Sequence, residues 1–359
     1  MMAMIKNTIL YLKPFLLECM IVTVLMVIGC KKNQTSLCST EIGLASQSDF
    51  PIGAAIDHIL IQTDSSYREI AITQFNRITP ENILKPNYIH PQENQFNFSE
   101  VDQLINYCRN NNLSIHGHTL VWHQQNPEWL NSYQGTREDW DRLLKTHIQS
   151  IVRYYRPNIL SWDVVNEAFN EDGTLRNNIW FQHLGSAYIE KAFVYAKEAN
   201  PEAKLFYNEY GLESNPTKLK AVIHYFNSLR NRGIQIDGIG LQMHVSTAYS
   251  EISMIENAIQ TISNNHYLLH LSELDISLNP LSKEYTLTQD DLNDQADLMY
   301  KIVRAYKNIP SELQFGITFW GISDQYSWIR SYYNRIDYPL LFDENYQPKP
   351  IYCKLKQSL

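Results

Sequence analysis

From residue 50 onward, short apolar runs alternate with longer stretches whose apolar residues recur every three or four positions. The runs are FPIGAAI (50–56), FNRITP (75–80), LSIHGHTL (113–120), ILSWDVVN (159–166), AKLFYNEY (203–210), GIGLQMHV (238–245), HLSELDIS (270–277) and QFGITFW (314–320). Their length and β-branched, aromatic content predict buried strands. Between them, Val101, Leu104, Ile105 and Cys108 fall at i, i+3, i+4 and i+7, the spacing of an amphipathic helix. Similar patterns occupy about 138–155, 185–199, 216–232, 250–264, 291–308 and the C-terminal KLKQSL. Eight strand–helix units predict a single closed parallel (β/α)8 TIM barrel. An open doubly wound sheet fits less well, because GAAIDH after the first run holds one glycine and no phosphate-binding loop.

Polar and titratable residues collect at the carboxyl ends of these runs: Glu81 and Asn82, His118 and His123, Asn166 and Glu167, Asn208 and Glu209. Gln242 and His244, Glu273 and Asp275, and Trp320 and Asp324 continue the series. In a barrel that end is the face where active sites form, so the pattern predicts one polar cavity. Asn166-Glu167 ends the fourth run and Glu273-Leu274-Asp275 the seventh. Two carboxylates without a metal-ligand set suit glycoside hydrolysis, one protonating the leaving oxygen and the other attacking or activating water. A proton donor in such a pair needs an apolar wall or a neighbouring negative charge to stay protonated. Asn166 is placed to bond a sugar hydroxyl and His244 to orient Glu273. Asp275 shares a strand face with Glu273 two residues further out, which suggests support rather than sugar contact.

The N-terminus is a separate object. Lys6 and Lys13 precede an apolar run from Met20 to Ile28, interrupted by Thr23. That run is too short to span a bilayer, which needs about 20 residues, and has the length of a signal-peptide core. It leads through Val27-Ile28-Gly29 into Cys30, and this segment resembles the lipobox of bacterial lipoproteins. The resemblance implies a signal peptide over 1–29, lipidation at Cys30 and a polar tether over 30–48, ahead of the predicted barrel over 49–359. Export and membrane anchoring through the lipid follow, at an outer membrane or cell surface. A plain signal anchor or a buried helix is the alternative.

Composition sharpens this picture in four places. The 359 residues allow one large domain or two medium ones, and eight units spanning about 310 residues favour one. A net charge of −8 offers no basic surface for nucleic acid. Of the five cysteines, Cys19 leaves with the signal and Cys30 is lipidated, so Cys38, Cys108 and Cys353 remain. They form neither a disulfide framework nor a metal site, although one bridge stays open. Tyr, Phe and Trp make up 12% of the chain, and all seven Trp lie between Trp122 and Trp328, a supply of flat surface that suits a neutral, hydroxyl-rich ligand.

Eight segments, FNRITPENILKP (75–86), HGHTLVWHQQNPEWL (116–130), WDVVNEAF (162–169), YNEYG (207–211), GIGLQMHV (238–245), SELDIS (272–277), FWGISDQYSW (319–328) and PLLFDENYQPKP (339–350), occur in this order. Together they resemble glycoside hydrolase family 10, the endo-β-1,4-xylanases, across about residues 48–356. The resemblance implies a retaining hydrolase without cofactor or metal, acting on xylan and xylo-oligosaccharides, with Glu167 as acid/base and Glu273 as nucleophile. It implies that Glu81, Asn82 and Lys85 hold the sugar one step beyond the cleavage site. His118, Trp122, Asn166, Gln242 and His244 would surround the sugar being cleaved, roofed by Trp320 and Trp328. Trp140 and Trp162 stay as core or surface aromatics. Ser272 stands where the family often has Thr, and the loops 278–291 and 329–340 are the variable parts. Two alternatives stay open: a retaining β-1,4-glycanase with another backbone preference, and a non-catalytic polysaccharide-binding lipoprotein.

Overall fold

The computed structural model describes residues 39–281 and 284–359. The signal, Cys30 and most of the tether therefore lie outside the described residues. Among the described residues, nine strands run in chain order: β1 (Ile52–Ile56), β2 (Arg77–Pro80), β3 (Ser114–Gly117), β4 (Ile159–Asn166), β5 (Lys204–Glu209), β6 (Gly238–Leu241), β7 (His244–Ser246), β8 (Leu268–Ser277) and β9 (Gln314–Phe319). All pairings are parallel. β1 through β6 are neighbours in sequence order, β6 pairs with β8, and β9 joins β8 to β1. This ring is a closed (β/α)8 TIM barrel.

The sixth run is one unit in sequence but breaks at Gln242–Met243, where Met243 takes a positive φ of 64°. β7 resumes the unit and pairs only with the end of β8, His244 opposite Asp275. The helices match their apolar periodicity and are started by local chemistry. Thr136 and Asp139 close a capping box ahead of Arg137–Tyr154, and Thr288 and Asp291 do the same for Gln289–Lys307. After β1 the chain forms two short helices, His58–Thr63 and Ser65–Gln74, each opened by an aspartate side chain at its N-cap.

Aromatic and titratable side chains of the strands pack on one another. Arg77 donates to the carbonyl of Phe315 at 2.8 Å and stacks over its ring. Burial pulls its pKa down to about 10. Above it, the rings of His116, Phe206 and His270 meet edge to face. Trp162 is fully buried against β3, where a Cβ on Gly117 would come within 2.2 Å of its ring. Trp140 is likewise core. Cys108 is a buried free thiol whose pKa burial pushes up to about 12. Cys353 is disulfide-bonded.

Candidate active site

Glu273 lies in the carboxyl half of β8, 5% exposed. Asn208, from the end of β5, donates to Glu273 Oε1 at 2.6 Å and to Asn166 Oδ1 at 2.9 Å. Its own oxygen accepts from Ser272 Oγ at 2.6 Å. Gly240 beside it leaves room for this side chain, since a Cβ there would sit 2.1 Å from Asn208 Oδ1. On the other carboxylate oxygen, His244 Nε2 lies 3.2 Å from Glu273 Oε2, while its Nδ1 lies 3.0 Å from Asp275 Oδ2. Trp328 Nε1 donates to the same Asp275 oxygen at 2.8 Å. Burial opposes a charge on His244, but Asp275 and Glu273 outweigh it and lift its pKa well above 6.5. Burial also opposes ionisation of Glu273, yet the bond from His244, helped by His118 and Asn208, holds its carboxyl below the ordinary 4.5. The site thus keeps an ionised, oriented carboxylate in a largely dry setting.

Glu167 follows β4 in a left-handed conformation, φ 55°. Its Oε1 accepts from Gln242 Nε2 at 3.1 Å and Asn166 Nδ2 at 3.2 Å, and its Oε2 from Trp122 Nε1 at 2.8 Å. His123 Nδ1 stands 3.7 Å from Oε2. Burial, with Arg176 and Lys218 nearby, lowers the pKa of His123 to about 4, which leaves the ring neutral. Asn166 and Asn208 therefore link the two glutamates in one hydrogen-bonded line.

Around this pair, Lys85 donates to Asn82 Oδ1 at 3.0 Å and lies over the Trp122 ring. Glu81 is raised above 4.5 by burial, a shift moderated by Lys85. Lys85 and Glu81 both feel the charge of Glu273, so the β2 end joins the same cavity. His118 Nδ1 is 2.9 Å from Asp163 Oδ2, and His116 Nε2 is 3.1 Å from the other oxygen. Burial resists the charge of Asp163, but the two histidines hold it well below 3.8. Trp320 packs edge-on to His118 at 5.2 Å, and Trp328 lies 5.0 Å from His244.

The structure therefore brings Glu81, Asn82, Lys85, His118, Trp122, Asn166, Glu167, Gln242, His244, Glu273, Asp275, Trp320 and Trp328 to one end of the barrel. Two residues of the strand-end series are corrected. Asp324 is fully buried and pairs with Lys349 at 2.8 Å while accepting from Leu340 N. Glu209 is fully buried behind the Glu167 turn, against Lys218 at 3.0 Å. Neither opens into the cavity. Asn208 was visible only as a strand-end polar residue, and its contact with Glu273 has no local signature. Tyr210 and Arg176, joined at 3.0 Å beside Glu167, carried no signal beyond the YNEYG segment. Among the described residues, no group of three or more His, Cys, Asp or Glu is arranged to hold a metal ion.

The Glycosyl hydrolase family 10 profile matches residues 42–358. Endo-1,4-beta-xylanase B of Thermotoga neapolitana is 33% identical over 337 residues, 93% of this chain and 96% of that one. A beta-1,4-xylanase of Dictyoglomus thermophilum is 37% identical over 317 residues, covering 85% of this chain and 87% of that one. The crystal structure of xylanase 10B from Thermotoga petrophila RKU-1 in complex with xylobiose superimposes with a TM-score of 0.83 at 34% identity, covering 88% of this chain and 97% of that chain. With a barrel, a pair of buried glutamates and this likeness along almost the whole described chain, the protein belongs to glycosyl hydrolase family 10.

Proposed function

We propose that the protein is an endo-1,4-β-xylanase that cleaves internal bonds of xylan and xylo-oligosaccharides with retention of configuration. In the first step Glu167 gives its proton to the glycosidic oxygen as the C1–O bond breaks, while the Glu273 carboxylate forms a bond to C1. In the second, Glu167 takes a proton from water, which attacks C1 and releases Glu273. The observation that carries this reading is the line Glu273–Asn208–Asn166–Glu167, with His244 paired to Glu273. It joins a carboxylate kept ionised for attack to a second carboxyl anchored by three N–H donors.

Glu81, Asn82 and Lys85 then hold the sugar one step beyond the cleaved bond. His118, Trp122, Asn166, Gln242 and His244 surround the sugar being cleaved, under Trp320 and Trp328, and Asp275 acts through His244. Reducing-sugar release from xylan should exceed that from cellulose, and the reverse ranking would contradict the substrate assignment. Glu273→Ala should abolish cleavage but keep xylan binding, and unchanged turnover would remove Glu273 as nucleophile.

We also propose, from the sequence, export under a signal peptide over 1–29, lipidation at Cys30 and tethering through 30–48. Cys30→Ser should move the protein from the membrane fraction to the soluble one, and continued membrane association would refute the lipid anchor.

A further inference from the structure

We propose that Glu209, held by Lys218 and Tyr207, is the positioning residue for Glu167: it locks the turn that aims the proton donor at the leaving oxygen. This inference rests on the assignment of Glu167 as acid/base. Glu167 has a positive φ, unfavourable for a side chain with a Cβ and sustained only where the surroundings over-determine it. The next two N–H groups are both captured. Ala168 N donates to Tyr207 Oη at 3.0 Å and Phe169 N to Glu209 Oε2 at 3.2 Å. Tyr207 Oη donates to that same carboxylate oxygen. Glu209 Oε1 accepts from Lys218 Nζ at 3.0 Å and Tyr210 N at 3.1 Å.

One buried carboxylate thus takes four donors from three places: the Glu167 turn, the end of β5 and the helix Pro216–Asn231. Lys218 reaches further, to Glu171 Oε1 at 3.0 Å on the loop after Glu167, and lies 3.6 Å from the Tyr210 ring centroid. Arg176 closes the outer side, its Nε donating to Glu167 O at 3.1 Å and its Nη2 to Phe169 O at 3.1 Å. A fully buried ion pair is a poor stability device compared with apolar packing, and geometric specification is its better-attested use. Here the geometry specified is that of a turn one peptide away from the proton donor.

The role has a signature that loss of stability lacks. Protonation matters when the leaving group is a sugar hydroxyl and hardly at all when it is dinitrophenolate, which departs as an anion. Glu209→Gln leaves one acceptor oxygen for four donors. It should lower kcat/KM on xylohexaose by about 10- to 100-fold, the range of a misaimed general acid. The loss on dinitrophenyl xylobioside should be at least about tenfold smaller. Tyr207→Phe, which keeps the buried ring and removes only the hydroxyl, should show the same imbalance at smaller size and covers the case in which the Gln variant does not fold. Equal losses on both substrates, or none, in the folded variant would overturn the positioning role while leaving the xylanase assignment intact. If the unmutated protein hydrolyses neither substrate, that assignment fails and the inference falls with it.

Discussion

Asn208→Ala tests how the nucleophile is prepared. Asn208 is fully buried, so its side chain has no surface to offer a sugar, and its effect must pass through Glu273 and Asn166. The substitution removes a 2.6 Å bond to a buried carboxylate, the class of hydrogen bond worth about 1.5–3 kcal/mol. At about 1.36 kcal/mol per tenfold, that is roughly a 10- to 150-fold fall in kcat/KM. The fall should appear in kcat with KM little changed, because no substrate contact is lost. Asn208→Asp should do more harm, since it sets a second negative charge against Glu273 Oε1. Initial rates on xylohexaose, with circular dichroism to establish folding, measure both variants. A rise in KM at constant kcat, or a fall in kcat/KM below about threefold, would refute the idea that Asn208 acts by holding the carboxylate.

Gly240→Ala should imitate Asn208→Ala without touching it, because its Cβ would intrude to 2.1 Å from Asn208 Oδ1; a comparable kcat defect in a folded variant checks this. Gly117→Ala should cost stability instead, about 1–3 kcal/mol of overpacking against Trp162, read by denaturant unfolding. His244→Gln removes the cation that lowers Glu273, so the acid limb of kcat/KM should move to higher pH. The same variant has a stability signature. Glu273 is depressed, so its contribution is full above the unfolded 4.5 and lost as pH falls through its folded pKa. His244 is raised, so its contribution is full below the unfolded 6.5 and lost as pH rises through its folded pKa. The Tm difference between the two proteins should therefore be largest between pH 4.5 and 6.5 and shrink on either side.

Periodicity located all eight barrel units because parallel strands buried on both faces read as apolar runs whatever lies around them. It missed the helices His58–Thr63 and Ser65–Gln74, where the chain restarts at Asp64 after six residues, too few turns for a 3.6-residue period to show. It also read one strand where Met243 breaks the sixth run, and that turn sends Gln242 to Glu167 and His244 to Glu273. A polar residue at a strand end looks alike whether it enters the cavity or turns away from it. Glu167 and Glu209 both follow an Asn at such an end, yet the second is claimed by Lys218. Asp324 is likewise claimed by Lys349. Both partners are distant lysines, and adjacency in sequence carries no trace of them. Trp122 adds a different lesson: an aromatic expected to touch sugar also donates its indole N–H to Glu167.

In the proposed mechanism Glu273 attacks the anomeric carbon. Incubation with a 2-deoxy-2-fluoroxylobioside carrying a dinitrophenyl leaving group, followed by peptide mass mapping, tests it most directly. The slowed second step should trap one fluoroxylobiosyl group, and the labelled residue should be Glu273. A label on any other residue, or hydrolysis of xylohexaose with inversion and no trapped adduct, would contradict the role of Glu273 as nucleophile.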